Sequence, residues 1–139
     1  MPFLSISPEP SAYPAKVRSH AAPTPPAFTF DWWHGDDLVG AFPHFLITAR
    51  LRRALQRLRG ATGFTTEPAT VRASRFFRAR SGAPRLPRFW RLVASGAPGV
   101  DDVGATADCT LVVSARILVV LLSHTLEQAS FQKFAPSKP

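Results

Sequence analysis

"FLITARL", Phe45 to Leu51, and "LVVSARI", Leu111 to Ile117, are near copies of each other within one chain of 139 residues. In each, an apolar run, Phe45 to Ile47 or Leu111 to Val113, suits a short buried strand. A hydroxyl residue follows, Thr48 or Ser114, whose oxygen can accept a hydrogen bond from an orphan N–H in the first turn of a helix. Each copy therefore reads as strand, cap and helix. The first helix is expected over 49–59, where Leu51, Ala54, Leu55 and Leu58 form one apolar stripe and Arg50, Arg53 and Arg57 mark another side. The second is expected over 115–124. Its unbroken apolar run, Ile117 to Leu122, fits a buried helix or a continued strand, and the cap at Ser114 with the parallel to the first copy decides for helix.

The likeness extends outward from both stretches. "GFTTEP" at Gly63 to Pro68 and "SFQKFAP" at Ser130 to Pro136 follow the two helices, each an aromatic stretch ending at proline. A pair of aspartates precedes each copy, Asp36 and Asp37 or Asp101 and Asp102, with the first of the pair 12 or 13 residues ahead of the cap. The expected fold is α+β: two related strand–capped helix–strand units, about 36–68 and 101–136, around one small core. An irregular arginine-rich connector over 71–99 is expected to join them. "FTFDWW", Phe28 to Trp33, marks the start of a single domain over 29–139. Residues 1–28 hold seven of the 14 prolines and few large apolar side chains, and are expected to form a flexible tail.

Composition bounds the function. A hydrophobic fraction of 45% supports one compact core. The single cysteine, Cys109, can form no internal disulfide and lacks the paired spacing of a zinc site, so a reducing cytoplasm is the expected location. The opening residues have no basic start followed by a long apolar core, so secretion by that route is not expected. The longest apolar run is far short of the about 20 residues that cross a bilayer as a helix, and no membrane association is expected. The formal charge of +8 is confined to the middle of the chain: residues 50–91 hold 12 arginines against Glu67 alone, while the flanking segments are slightly acidic.

"WWHGDD", Trp32 to Asp37, could place His34 and two carboxylates around a metal, with His44 nearby. The favoured reading is a turn at Gly35 held by the aspartates, with the tryptophans anchoring the domain. Cys109 and His124 could be a nucleophile and base, but nothing in the spacing joins them, and a buried structural thiol is the expectation. The chain has no phosphate-binding glycine loop, no Gly-x-Ser-x-Gly and no His-Glu-x-x-His. No catalytic residue, cofactor or metal is assigned, and a non-enzymatic protein is expected. The strongest functional feature is the basic block "RLRRALQRLRG" with "RASRFFRARSGAPRLPRFWRL". Arginines interleaved with Phe76, Phe77, Phe89 and Trp90 have the composition of a single-strand nucleic-acid surface. Alternatively, the aromatics belong to the core and the arginines form its solvated side.

"FDWWHGDDLVGAFPHFLITARLRRAL", "LPRFWRL" and "DCTLVVSARILVVLLSHTLEQASFQKFAP" together resemble the small immunity proteins of bacterial polymorphic toxin systems, over about 110 of the 139 residues from Phe30 on. The recurrent elements matched are a Val-Val-Ser-x-Arg segment, here Leu111 to Ile117, and a terminal aromatic stretch with proline, here Phe131 to Pro136. The chain departs from the pattern in its proline-rich front and in "ILVVLLSH", which is more apolar than the usual amphipathic helix. The resemblance implies a protein that blocks a cognate toxin by stoichiometric binding. The contact residues expected on that basis are Arg52, Arg53, Arg57, Arg59, Arg75, Arg78 and Arg80, with Trp32 and Trp33 as aromatic anchors. So basic a middle segment suits an acidic protein partner and argues against a nuclease target. A nucleic-acid-binding module using the same arginines over 50–91 is the alternative.

Overall fold

The computed structural model describes residues 3–15 and 26–134. In chain order the elements are β1 (Leu4–Ser7), β2 (Ala12–Pro14), β3 (Ala27–Phe30), β4 (Leu38–Ala41), β5 (His44–Thr48), α1 (Ala49–Gln56), β6 (Phe64–Pro68), β7 (Thr70–Ala73), α2 (Arg75–Ala79), β8 (Phe89–Ala94), β9 (Val103–Ala105), β10 (Leu111–Val113), α3 (Ala115–Leu122) and β11 (Ser130–Lys133). The fold is α+β and mostly strand. One sheet runs β4-β5-β8-β6, a second β9-β10-β1-β11, and a third, of three strands, β2-β3-β7.

Each four-stranded sheet holds the strands of one expected stretch, 36–68 or 101–136, together with an inner strand from outside it, β8 or β1. In each, a short antiparallel pair leads directly into a helix: β4 and β5 into α1, β9 and β10 into α3. Thr48 caps α1 as its sequence predicts, accepting from the Leu51 N–H at 3.4 Å. Ser114 makes no such bond and instead donates to Asp102 at 2.7 Å. α3 is a helix, but its apolar surround is not matched by burial all round: Ile117 and Leu121 are buried, while Val119 and Leu122 are 69% and 60% exposed.

Two expectations are corrected. Of the expected flexible tail over 1–28, Leu4–Ser7 forms an inner strand, paired antiparallel with β10 on one side and β11 on the other. Its four residues contain no proline; Pro2 and Pro8 lie outside it, so the prolines punctuate the strand rather than prevent it. Ile6 is fully buried opposite Leu111. Residues 1–2 and 16–25 of that expected tail lie outside the described residues. The connector over 71–99 is likewise not irregular throughout, since it holds β7, α2 and β8, and β8 is an inner strand between β5 and β6.

In place of the one small core expected, the period of two along β5 divides the interior into two. Phe45 and Ile47 face one formed with Leu51 and Leu55 of α1, Leu111 and Val113 of β10, Ile117 of α3 and Ile6 of β1. Leu46 faces the other, formed with Phe28 and Phe30 of β3, Phe77 of α2 and Phe89 of β8. The sheet containing β5 is thus covered on both sides, which explains why its sequence is a continuous apolar run rather than an alternating one.

The aspartate pairs lock the two units together. Asp37 accepts from Thr48 Oγ1, from Arg50 Nε and Nη2 at 2.7 Å each, and from the backbone N–H of Thr125 at 2.9 Å, just beyond α3 of the other unit. Asp102 repeats the pattern in reverse, accepting from Ser114 Oγ and, at 3.0 Å, from the N–H of Thr62 beyond α1. Arg116 stands 3.7 Å from Asp102 as Arg50 stands on Asp37. Asp36 takes the N–H groups of Glu127 and Gln128, each at 2.9 Å. Close backbone approach completes the junction: a Cβ on Gly63, whose φ is +91°, would lie 2.0 Å from the Val103 carbonyl oxygen.

Truncating Ile6 to Ala should cost about 2–5 kcal/mol, the range for a fully buried aliphatic side chain, in urea unfolding followed by tryptophan fluorescence. A loss below about 0.5 kcal/mol, the level of an ordinary surface change, would remove β1 from the core. Burial alone would raise the Asp37 pKa, but the hydrogen bonds from Arg50, Thr48 and Thr125 and the charge of Arg50 outweigh it and hold it below the ordinary 3.8. A group depressed on folding stabilises fully above its unfolded value and loses that contribution as pH falls through the folded one. Asp37→Asn should therefore be less stable than the parent at pH 7, and the gap should shrink on acidification below about pH 4. A gap independent of pH would show that the carboxylate charge is not what stabilises.

Candidate binding surface

Most acidic side chains of the described residues are occupied inside the structure. Asp36, Asp37 and Asp102 join the units, Asp101 holds the Ala97 N–H, and Asp108 accepts from Thr106. Hydrogen bonding from Ser114 leads the effects that keep the Asp102 carboxyl below its ordinary value. Glu67 pairs with Arg91, and Glu9 lies 3.5 Å from His34. Among the described residues only Arg50, Arg91 and Arg116 are arginines with a carboxylate within ion-pair distance. The other described arginines have no carboxylate within that distance.

One group gathers around α2. Ser74 caps this short helix, accepting from the Phe77 N–H at 3.1 Å. Phe77 points into the second core against Trp32, with ring centroids 5.0 Å apart, and this leaves Arg75, Phe76 and Arg78 on the outside. Phe76 is 60% exposed. The Arg80 guanidinium stacks over Trp32 at 4.2 Å and reaches Phe76 at 5.5 Å. A cleft of about 710 Å³ opens here, lined by Tyr13 of β2, Arg72 of β7, and Arg75, Phe76 and Arg78.

The arginines of α1 divide differently. Arg52 lies flat on Trp90, 3.5 Å from the ring centre, and its Nε donates to Thr66 at 2.9 Å. Arg88 approaches the same ring at 5.2 Å. Arg53 lines a recess of about 250 Å³ with Trp33, Arg50 and Pro87. Arg57 ends the helix as its C-cap residue, and Arg59 is exposed, with its carbonyl accepting from Arg116. The nine residues expected from sequence are therefore not one constellation. Arg75, Arg78, Arg80 and Trp32 come together, whereas Arg53 and Trp33 border a separate recess and Arg52 is tied to the sheet. Trp32 and Trp33, both half-buried, are where the two groups adjoin. Tyr13 and Arg72 belong to the larger cleft but were not expected there: Tyr13 lies in the proline-rich front, and only the pairing of β2 and β7 with β3 brings the two together.

The other chemistry-bearing residues have local partners. Trp33 Nε1 donates to the Asp36 carbonyl at 2.8 Å, and Gly35 makes the expected turn with φ +102°. His44 Nδ1 lies 2.8 Å from Arg91 Nη1. Burial first, and the Arg91 charge second, lower its pKa. Among the described residues no three His, Cys, Asp or Glu side chains gather as a metal site. Cys109 sits at φ +63° in the turn between β9 and β10 and is half-buried rather than buried, while His124 lies just beyond α3 with Nδ1 at the Val120 carbonyl. No helix among the described residues is long and apolar enough to cross a membrane. Comparison with protein-family models, with curated proteins and with solved structures finds no match for the chain.

The two arginine groups should respond differently to substitution. Arg52→Ala removes a stacked cation and a hydrogen bond and should cost about 1–2 kcal/mol in urea unfolding. Arg75→Glu with Arg78→Glu should change stability by no more than about 0.5 kcal/mol. Equal losses would show that the α2 arginines, too, hold the fold.

Proposed function

We propose that the chain is a non-enzymatic binding protein of the immunity type, which neutralises a cognate toxin by forming a stoichiometric complex through an acidic face of that toxin. The observation that carries this reading is the cleft beside α2, where Arg72, Arg75 and Arg78 surround an exposed Phe76 with no carboxylate of the described residues in ion-pair distance. An exposed aromatic ringed by arginines is the composition of an interface anchor. The uncompensated charge favours an acidic partner and speeds its encounter. The resemblance of the flanking stretches to immunity proteins names the partner class. The single cysteine accords with action in a reducing cytoplasm.

The nucleic-acid reading has less to work with. It needs several stacking faces, but Phe77 and Phe89 are buried and Trp90 is covered by Arg52. Of the aromatics it invokes, Phe76 is the one well exposed.

Capture from lysate of the source cell, with nuclease treatment, separates the two. The parent protein should retain one protein in stoichiometric amount, encoded beside its own gene, and Arg75→Glu/Arg78→Glu should lose it while keeping its unfolding midpoint. Recovery of nucleic acid alone, abolished by nuclease, would replace the inhibitor reading with the nucleic-acid one.

A further inference from the structure

β7 is an edge strand. It pairs in parallel with β3 alone, through register Ala27↔Thr70 to Phe30↔Ala73. The Thr70 N–H donates to the Pro26 carbonyl at 2.8 Å and the Ser74 N–H to the Phe30 carbonyl at 2.9 Å. In such a ladder alternate residues face the partner strand, so the N–H and C=O groups of Val71 and Ala73 face the opposite way. Among the described residues no strand pairs with that side. An open groove of about 480 Å³ lies against Val71 and Ala73, lined also by the stretch Ala83 to Leu86 and bearing Arg72, Arg78 and Arg85.

We propose that the acidic partner inferred above adds an extended segment to this edge. Its backbone pairs with Val71 and Ala73, and its carboxylates meet Arg72, Arg78 and Arg85. The inference rests on the binding-protein reading and supplies its mode. Main-chain pairing would provide affinity, and the arginines on either side would select for carboxylates.

Charge chooses the occupant. An exposed edge invites any extended chain, and charged side chains on it exclude like-charged ones. A second copy of this protein would bring the same arginines to the same edge. The chain's own segments 16–25 and 135–139 carry Lys16, Arg18 and Lys138 and no acidic residue, so they meet the same repulsion. An acidic segment gains where all of these lose.

The test uses the full-length, nitrogen-15-labelled protein and an acetylated, amidated peptide of five Glu-Thr repeats. Two companion probes are the same peptide N-methylated at every residue and a ten-nucleotide oligothymidylate. At saturating peptide, exchange of the Val71 and Ala73 amides should slow about tenfold or more, with little change at Thr70 and Arg72, which already donate to β3. The N-methylated peptide keeps its carboxylates and should bind about tenfold more weakly, because it has no N–H to donate to the Val71 and Ala73 carbonyls. Arg72→Glu/Arg78→Glu/Arg85→Glu should abolish binding. Equal binding of the two peptides, or binding with unchanged exchange at Val71 and Ala73, overturns strand addition and leaves the acidic-partner reading standing. Failure of the peptide to bind also overturns strand addition, and the lysate capture then decides the broader reading. Binding of the oligonucleotide in place of the peptide overturns both.

Discussion

The Asp37 carboxylate is 2% exposed, and the molecule is arranged around satisfying it. A buried carboxylate without donors costs several kcal/mol, so wherever the chain places one it must bring N–H and O–H groups to it. Two of the donors, Thr48 and Arg50, come from the segment between β5 and α1. The third, the Thr125 backbone, comes from the other unit, and the Asp37 N–H returns a bond to the Thr125 carbonyl. Asp102 imposes the same demand in the opposite direction through Ser114 and Thr62. Each half therefore completes a site on the other. Separating the halves would take a backbone donor from each carboxylate and open the first core, to which both units contribute.

The same arrangement accounts for the surface charge. Asp37 and Asp102 are paired with Arg50 and Arg116, and Glu67 with Arg91; no other described arginine has a carboxylate within ion-pair distance. The net charge of +8 is thus not spread as alternating surface pairs. Part of it emerges around α2 and the outer side of β7, and part on α1 and just beyond it, at Arg53, Arg57 and Arg59. A local excess of positive charge acts mainly on encounter rate and on the choice of partner. Stacking of Arg52 on Trp90 and of Arg80 on Trp32 shows a second use of the excess arginine, as a planar cover for aromatic rings at the core's margin.

Local pattern made the repeated units legible. A three-residue apolar strand, a hydroxyl cap and a helix are all short-range features, and the near-constant spacing of the aspartates belonged to the same pattern. What the aspartates do was not legible: they read as holding the turn at Gly35, whereas Asp37 and Thr125 are 88 residues apart and meet only in the folded chain. The strand Leu4–Ser7 was missed for a different reason. Four residues between prolines have too little period to outweigh the composition around them, and their burial depends wholly on β10 and β11. The candidate surface was half legible. Arginine density marked the segment, but which arginines stand free depends on which aromatic ring is already covered, and that is a property of packing.

The two sheets differ in one instructive way. Their orders, β4-β5-β8-β6 and β9-β10-β1-β11, match position by position if β1 takes the place of β8. In the first unit the chain must travel from β6 to β8, and on that passage it makes β7 and α2. In the second unit the equivalent strand arrives from the other end of the chain, so no such passage exists between β11 and β1. The excursion through β7 and α2 is thus, like β2 and β3 of the same sheet, without a counterpart, and it holds the exposed Phe76, Arg75, Arg78 and the free edge of β7 together. The repeated frame satisfies its buried carboxylates across the junction, at Asp36, Asp37 and Asp102. The surface proposed for binding lies instead on β7 and α2, where the repetition fails.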